Sequence, residues 1–263
     1  MLDLFNYGFI FRSLISIILL SIISSLNGNY VYHKKEFDIL PIFILSSFVG
    51  LLFAKLIGAT YFLYSFTFGF IFLILYLYLR NNNLEKDFKL ITIILLSILS
   101  VFIILLIGFY LENISFFILG NLFSISNSEV IFIFVLSIIT ILIYYFFFEY
   151  LKPIIFSVKI SKSEGFPVTL YELIFLSLLI FNIVFLFRTV GIFLIFPFLI
   201  FPPYIISKLF DNFKKRFFFT FILNLFVSVI AFLIGININF SIGMIYLLII
   251  TLIFFLIIIK HFF

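Results

Sequence analysis

Few side chains in this 263-residue chain could do chemistry, and they avoid the middle of its apolar runs. The two histidines, His33 and His261, each sit beside a lysine at the end of such a run, so a buried histidine zinc centre is not expected. The absence of cysteine removes disulfides, iron–sulfur clusters and thiolate metal sites. Neither an HExxH pattern nor a mid-span pair of aspartates supplies a hydrolytic centre. The apolar runs also lack a cluster of Asp, Glu or His for a proton relay or sodium site, which a self-powered transporter would want. The densest polar chemistry is instead a short knob, Ser157-Val158-Lys159-Ile160-Ser161-Lys162-Ser163-Glu164-Gly165, closed by Phe166-Pro167. A greasy chain that keeps such a segment on one side is expected to present it to a soluble partner.

The elements that carry this knob must be membrane helices. The chain is 66% hydrophobic and only 10% charged, more apolar surface than a soluble domain can hold. Its apolar runs are continuous and do not alternate at period two, which excludes a β-barrel. The fold class is therefore an all-α, polytopic integral membrane protein, one transmembrane domain over residues 1–263. With about 20 residues needed per crossing, nine spans are expected: 9–27, 38–57, 59–79, 89–110, 128–148, 170–187, 189–207, 217–235 and 242–260, with a short helix near 115–122. Eight spans is the alternative count. The 46 phenylalanines, with abundant Ile, Asn and Lys, fit AT-rich codon drift, since lipid accepts Phe as readily as Leu or Ile. Met1-Leu2-Asp3-Leu4-Phe5-Asn6 lacks a basic region and a cleavage site, so the first span is expected to be retained.

The charges order these spans. All 16 Lys and Arg residues except Arg12, Lys55 and Arg188 fall after spans one, three, five, seven and nine. Cytoplasmic loops are the ones rich in Lys and Arg, so the N-terminus is expected outside and the C-terminus inside a cell (inner) membrane. The net charge of +5 is thus read as topology and not as nucleic-acid binding. Arg12 and Lys55 lie near span ends, where snorkelling is the expected behaviour. Arg188 sits at a tight hairpin, where it either snorkels or joins two helices. The knob at 157–165 falls on the cytoplasmic side.

Glycine and proline are scarce, and their neighbours repeat a known order. Phe9-Ile10-Phe11-Arg12-Ser13-Leu14 opens the chain, and Gly28-Asn29-Tyr30-Val31-Tyr32-His33-Lys34-Lys35 ends the first span. Gly50-Leu51-Leu52-Phe53 leads to Gly58, Lys86-Asp87 precedes the fourth span, and Leu119-Gly120-Asn121-Leu122 lies in the long loop. Arg188-Thr189-Val190-Gly191-Ile192-Phe193-Leu194 is followed by Pro202, eleven positions after the glycine, and Asn239-Phe240-Ser241-Ile242-Gly243 comes last. In this order and spacing the chain resembles the zinc/manganese/iron permease family of ABC importers over nearly its whole length. Phe156 to Gly165 is similar to the family's Phe-Asp-x-x-x-Ala-x-x-x-Gly segment, with Ser157 in place of Asp and Ser161 in place of Ala.

The resemblance implies a passage-forming subunit that works as a homodimer. It implies a separate ABC ATPase, which uses the ATP, and an extracytoplasmic metal-binding protein; this chain itself holds no cofactor. It makes 157–165 the segment that docks the ATPase, with Lys159, Lys162 and Glu164 as polar contacts, Ser157 as the cap and Gly165 as the stop. Gly28, Gly50, Gly120, Arg188, Gly191 and Pro202 become structural motif positions.

One departure touches the cargo. The register places Pro41 and Leu45 where the family carries an Asp and a His one helical turn apart, a pair able to pass a divalent cation along. Asp38, three residues earlier on roughly the same face, is the nearby carboxylate and a weak metal candidate; a cap or interface role is its alternative. A degenerate permease with altered cargo, a membrane enzyme and a non-transporting scaffold are the competing readings.

Overall fold

The computed structural model describes residues 8–81, 85–107, 117–118, 120, 122–156, 161, 165–238 and 240–262. Nine long helices occupy them: α1 Gly8–Lys34, α2 Ile39–Ile57, α3 Tyr61–Asn81, α4 Glu85–Ile107, α5 Asn127–Phe156, α6 Val168–Thr189, α7 Ile192–Ser207, α8 Phe213–Ile238 and α9 Ile242–Phe262. No strand occurs among the described residues. Each expected span coincides with one helix. In place of the short helix expected near 115–122, the clearest element is a 3-10 turn at Leu122–Ser124, with Phe117 and Ile118 also helical and the rest of that stretch outside the described residues.

Eight of the helices are long and apolar enough to cross a membrane. The ninth is α7, with 16 residues and prolines at 197, 202 and 203; at 1.5 Å per residue it rises about 24 Å, short of a ~30 Å hydrocarbon core. Helices α1, α5 and α8 run past the expected span limits, because backbone hydrogen bonding continues after the side chains turn polar.

Local chemistry sets the helix ends. Ser126 and Glu129 form a capping box before α5: the Ser126 N–H donates to Glu129 Oε2 at 2.8 Å and the Glu129 N–H to Ser126 Oγ at 3.3 Å. Asn212 Oδ1 accepts the N–H of Lys214 at 3.0 Å and starts α8. Gly58, at φ 72°, stops α2, and the Ala59 N–H closes back on the Ala54 carbonyl at 2.9 Å. Within the spans hydroxyls bond to the preceding turn, as Ser21 does to Ile17 and Thr140 to Leu136, which hides their polarity at membrane depth.

The chain divides into two units, neither continuous in sequence. The first holds α1 up to His33, α5 up to Phe146, the end of α6 from Phe187, and α7, α8 and α9; the second holds Lys34, α2, α3, α4, the end of α5 and α6 up to Leu186. In the second unit α2 packs against α3 and α4. A Cβ at Gly50 would lie 2.9 Å from Ser65 Cα, so glycine there lets α2 and α3 approach backbone to backbone.

Candidate functional site

Within the second unit, α2 is buried along residues 39–52 except at two positions, Pro41 and Leu45. These lie one turn apart on one face, and Asp38 extends the same face at the helix start. Asp38 is exposed and takes the N-cap position, but its side chain makes no capping hydrogen bond. Among the described residues no group of three or more His, Cys, Asp or Glu is placed to hold a metal ion.

Of the polar knob, Ser157, Lys159, Lys162 and Glu164 lie outside the described residues. Ser161 is fully buried, and its carbonyl accepts the Phe166 N–H at 3.0 Å. Gly165 has φ 82°, and its Cα faces open space. The Ser161–Phe166 bond spans five residues, and the glycine just before its donor sits in the left-handed region. Beyond it the Pro167 carbonyl accepts the Leu170 N–H at 3.1 Å, and Phe166 meets the ring of Tyr150, which stacks on Tyr171 at 5.0 Å.

Four ions close a ring in the same unit. Lys34 Nζ lies 2.9 Å from Glu36 Oε2 and 3.0 Å from Glu172 Oε1; Arg80 Nη1 lies 3.1 Å from Glu36 Oε1 and 2.9 Å from Glu172 Oε1. The side chains of Lys34 and Glu172 are each only 3% exposed. Both cations stand at helix C-termini, of α1 and α3, and both carboxylates stand near helix N-termini, of α2 and α6, so the helix dipoles favour all four.

The glycine and proline motifs gather in the first unit. Gly120 (φ 70°) lies against the Val190–Gly191 peptide, where a Cβ would fall 2.7 Å from the Gly191 nitrogen. Gly191 takes φ 90° and ψ 148° as it starts α7, a conformation open essentially to glycine alone. Gly28 backs onto the Leu199 carbonyl, and a Cβ there would lie 2.9 Å from Pro203 Cγ. Pro202 has no N–H to give the Phe198 carbonyl one turn earlier. Ser24 Oγ donates to that carbonyl instead, at 2.7 Å. Asn224 Nδ2 donates to Ser24 Oγ at 2.9 Å, and Tyr246 Oη donates to Asn224 Oδ1 at 2.5 Å. A buried chain of hydrogen bonds thus joins α9, α8, α1 and α7. Beside it lies a pocket lined by Ile17, Leu20, Leu122, Val190, Phe198 and Tyr246 among others.

The model of the ABC 3 transport family matches residues 6–261. The chain belongs to the ABC 3 transport family. The fold agrees with two solved structures. PsaBC from Streptococcus pneumoniae, in complex with Fab, is 21% identical, with a TM-score of 0.84 over 97% of this chain and 92% of that one. A structure described as a metal-chelate type ABC transporter in an inward-facing conformation is 18% identical, with a TM-score of 0.72 over 95% of this chain and 85% of that one. No curated protein matches the sequence.

In this ABC 3 family permease the structure brings Gly28, Gly120, Gly191 and Pro202 into one unit and leaves Gly50 and Asp38 in the other. The side chain of Arg188 lies outside the described residues. Arg12, expected to snorkel, donates from Nη1 to Asn127 Oδ1 at 3.2 Å, while Lys55 is exposed in the last turn of α2. Sequence reasoning missed Ser24, Asn224 and Tyr246. A signal was present: a span proline frees the carbonyl four residues before it, and a polar side chain on a neighbouring span is the means of satisfying that carbonyl in lipid. It also missed Glu36 and Glu172 as partners of Lys34 and Arg80, since charge counting by loop does not pair charges.

Proposed function

We propose that this chain is the membrane-spanning subunit of an ABC importer whose cargo is a divalent metal: zinc, manganese or iron. It works as a homodimer with two copies of a separate ATPase, which bind at 157–165, and receives cargo from an extracytoplasmic binding protein. Its N-terminus lies outside and its C-terminus inside. The observation that carries this reading is the match of the ABC 3 transport family model over residues 6–261, supported by the fold shared with PsaBC from Streptococcus pneumoniae. Asp38, Pro41 and Leu45 form the least buried line at the start of α2, and the resemblance puts Pro41 and Leu45 where such permeases carry an Asp and a His.

Proteoliposomes holding the permease, the ATPase and the binding protein test the reading by ATP-driven uptake of labelled zinc, manganese and iron. Absence of uptake for all three, presented free or chelated, would overturn it. Pro41→Asp with Leu45→His should add at least tenfold to divalent-cation binding, because the pair faces one side one turn apart. Asp38→Asn should lower uptake if that carboxylate serves the cation, and unchanged uptake removes it. Replacing Lys162 and Glu164 together should abolish ATPase copurification. A cytoplasmic-only reporter fused to the C-terminus should be active.

A second reading concerns the form of the cargo. Proline and leucine offer a cation no ligand. A metal that arrives inside a chelator carries its own ligands and needs only a passage of suitable shape, as the structure described as metal-chelate type suggests for this fold. Uptake of chelated metal without uptake of the free ion would select this reading.

A further inference from the structure

The ring Lys34–Glu36–Arg80–Glu172 alternates in sign, and within it each ion meets two of opposite charge. One oxygen of Glu172, Oε1, carries both cations, whereas Glu36 uses a separate oxygen for each. Lys34 and Glu172 are the most buried members, and removing either leaves its two neighbours one ring partner fewer in a poorly hydrated place, which weakens the ring.

Its position along the chain gives it work. Glu172 is one turn into α6, seven residues after Gly165, and the intervening Phe166–Pro167 turn is pinned by hydrogen bonds on both sides. Lys34 ends α1, Lys35 turns the chain with φ 57°, and Glu36 stands two residues before Asp38 at the head of α2. The path from Gly165 to the open strip of α2 thus runs through a short turn, one turn of helix and the ring. All of its members from Lys34 onward lie in the second unit.

We propose that this ring is a rigid strut that carries motion of the 157–165 segment to α2, with Glu172 as its positioning residue. The inference rests on that segment being the ATPase dock. The ring stays closed through the ATP cycle, and α2 moves with the first turn of α6 as one body, as in a rigid-body transition.

The test uses the complete complex with its ATPase. Spin labels at Leu170→Cys on α6 and Ile57→Cys on α2, both exposed positions, report the distance between the two helices. With the native ring, the distance should be the same in the nucleotide-free and ATP-trapped complexes to within about 2 Å; in Glu172→Gln combined with Lys34→Met it should change by more than about 5 Å between those states. That double variant removes one charge of each sign and keeps the Glu36–Arg80 pair, so neutrality is preserved. ATPase copurification and hydrolysis should remain within twofold of the parent, while uptake of labelled metal per ATP falls at least tenfold. Arg80→Lys, which keeps the charge, should retain uptake per ATP within threefold, and Arg80→Gln should not. A distance that changes with the ring intact, or a double variant that behaves as the parent, overturns the proposal. Loss of ATPase binding in the double variant also overturns it, by making the ring part of the dock. The underlying reading fails separately, if replacing Lys162 and Glu164 leaves ATPase binding unchanged.

Discussion

The two units join their helices by different chemistry. The first uses neutral groups: a serine hydroxyl, an asparagine amide, a tyrosine hydroxyl, a carbonyl freed by Pro202, and glycines that admit another backbone. The second closes with four full charges at helix ends. Neutral hydrogen bonds can be buried deep in a span at small cost, and losing one is a local event. Full charges are costly to bury, so they stand at helix termini where dipoles help, and losing one disturbs every partner. The difference separates a unit joined by neutral hydrogen bonds and close backbone contacts from one whose helix ends are joined by charges.

Breaking the comparison begins with the backbone contact in the first unit. Gly120→Ala should cost at least about 4 kcal/mol, since it combines a left-handed conformation with a clash against fixed backbone. Thermal unfolding in detergent would show this as loss of the folded form, and a normal melting curve would contradict the backbone contact. In the second unit, Arg80→Met should cost about 2–3 kcal/mol, less than a fully buried ion because Arg80 is 18% exposed. Adding Glu172→Met should recover part of that loss, and a double-mutant cycle with strictly additive costs would show that the ring does not couple its members. Ser24→Ala should cost about 1–2 kcal/mol, by leaving the Phe198 carbonyl and the Asn224 amide each without this partner. A cost as large as that of Arg80→Met would erase the contrast between the units. The smallest change is a gain: Lys35→Gly should stabilise the α1–α2 turn by up to about 1 kcal/mol, since φ 57° strains a lysine, and equilibrium unfolding would detect it.

Much of this was legible in the residues. Continuous apolar runs gave helices because lipid leaves backbone groups no other partner. Gly58 could be placed beside a helix end because glycine tolerates φ 72° there without strain. The order and spacing of segments from Phe9 to Gly243, the stretch Arg188–Leu194 with Pro202 among them, suggested the family. The limits of α1 and α8 were less legible, because hydropathy marks where side chains change and not where hydrogen bonding stops.

By itself, the sequence determined the all-helical membrane class, the order of the long helices and the family, because these follow from local composition and spacing; of the nine crossings it predicts, eight fall on helices long and apolar enough to span. It also determined that Pro41 and Leu45 cannot ligate a cation. Tertiary structure decided which separated residues meet. Gly120 touches the Val190–Gly191 peptide, Ser24 answers the carbonyl that Pro202 freed, and Glu172 holds Lys34 and Arg80 on one oxygen. Those pairings depend on helix packing between distant segments, and no local pattern encodes which helix faces which.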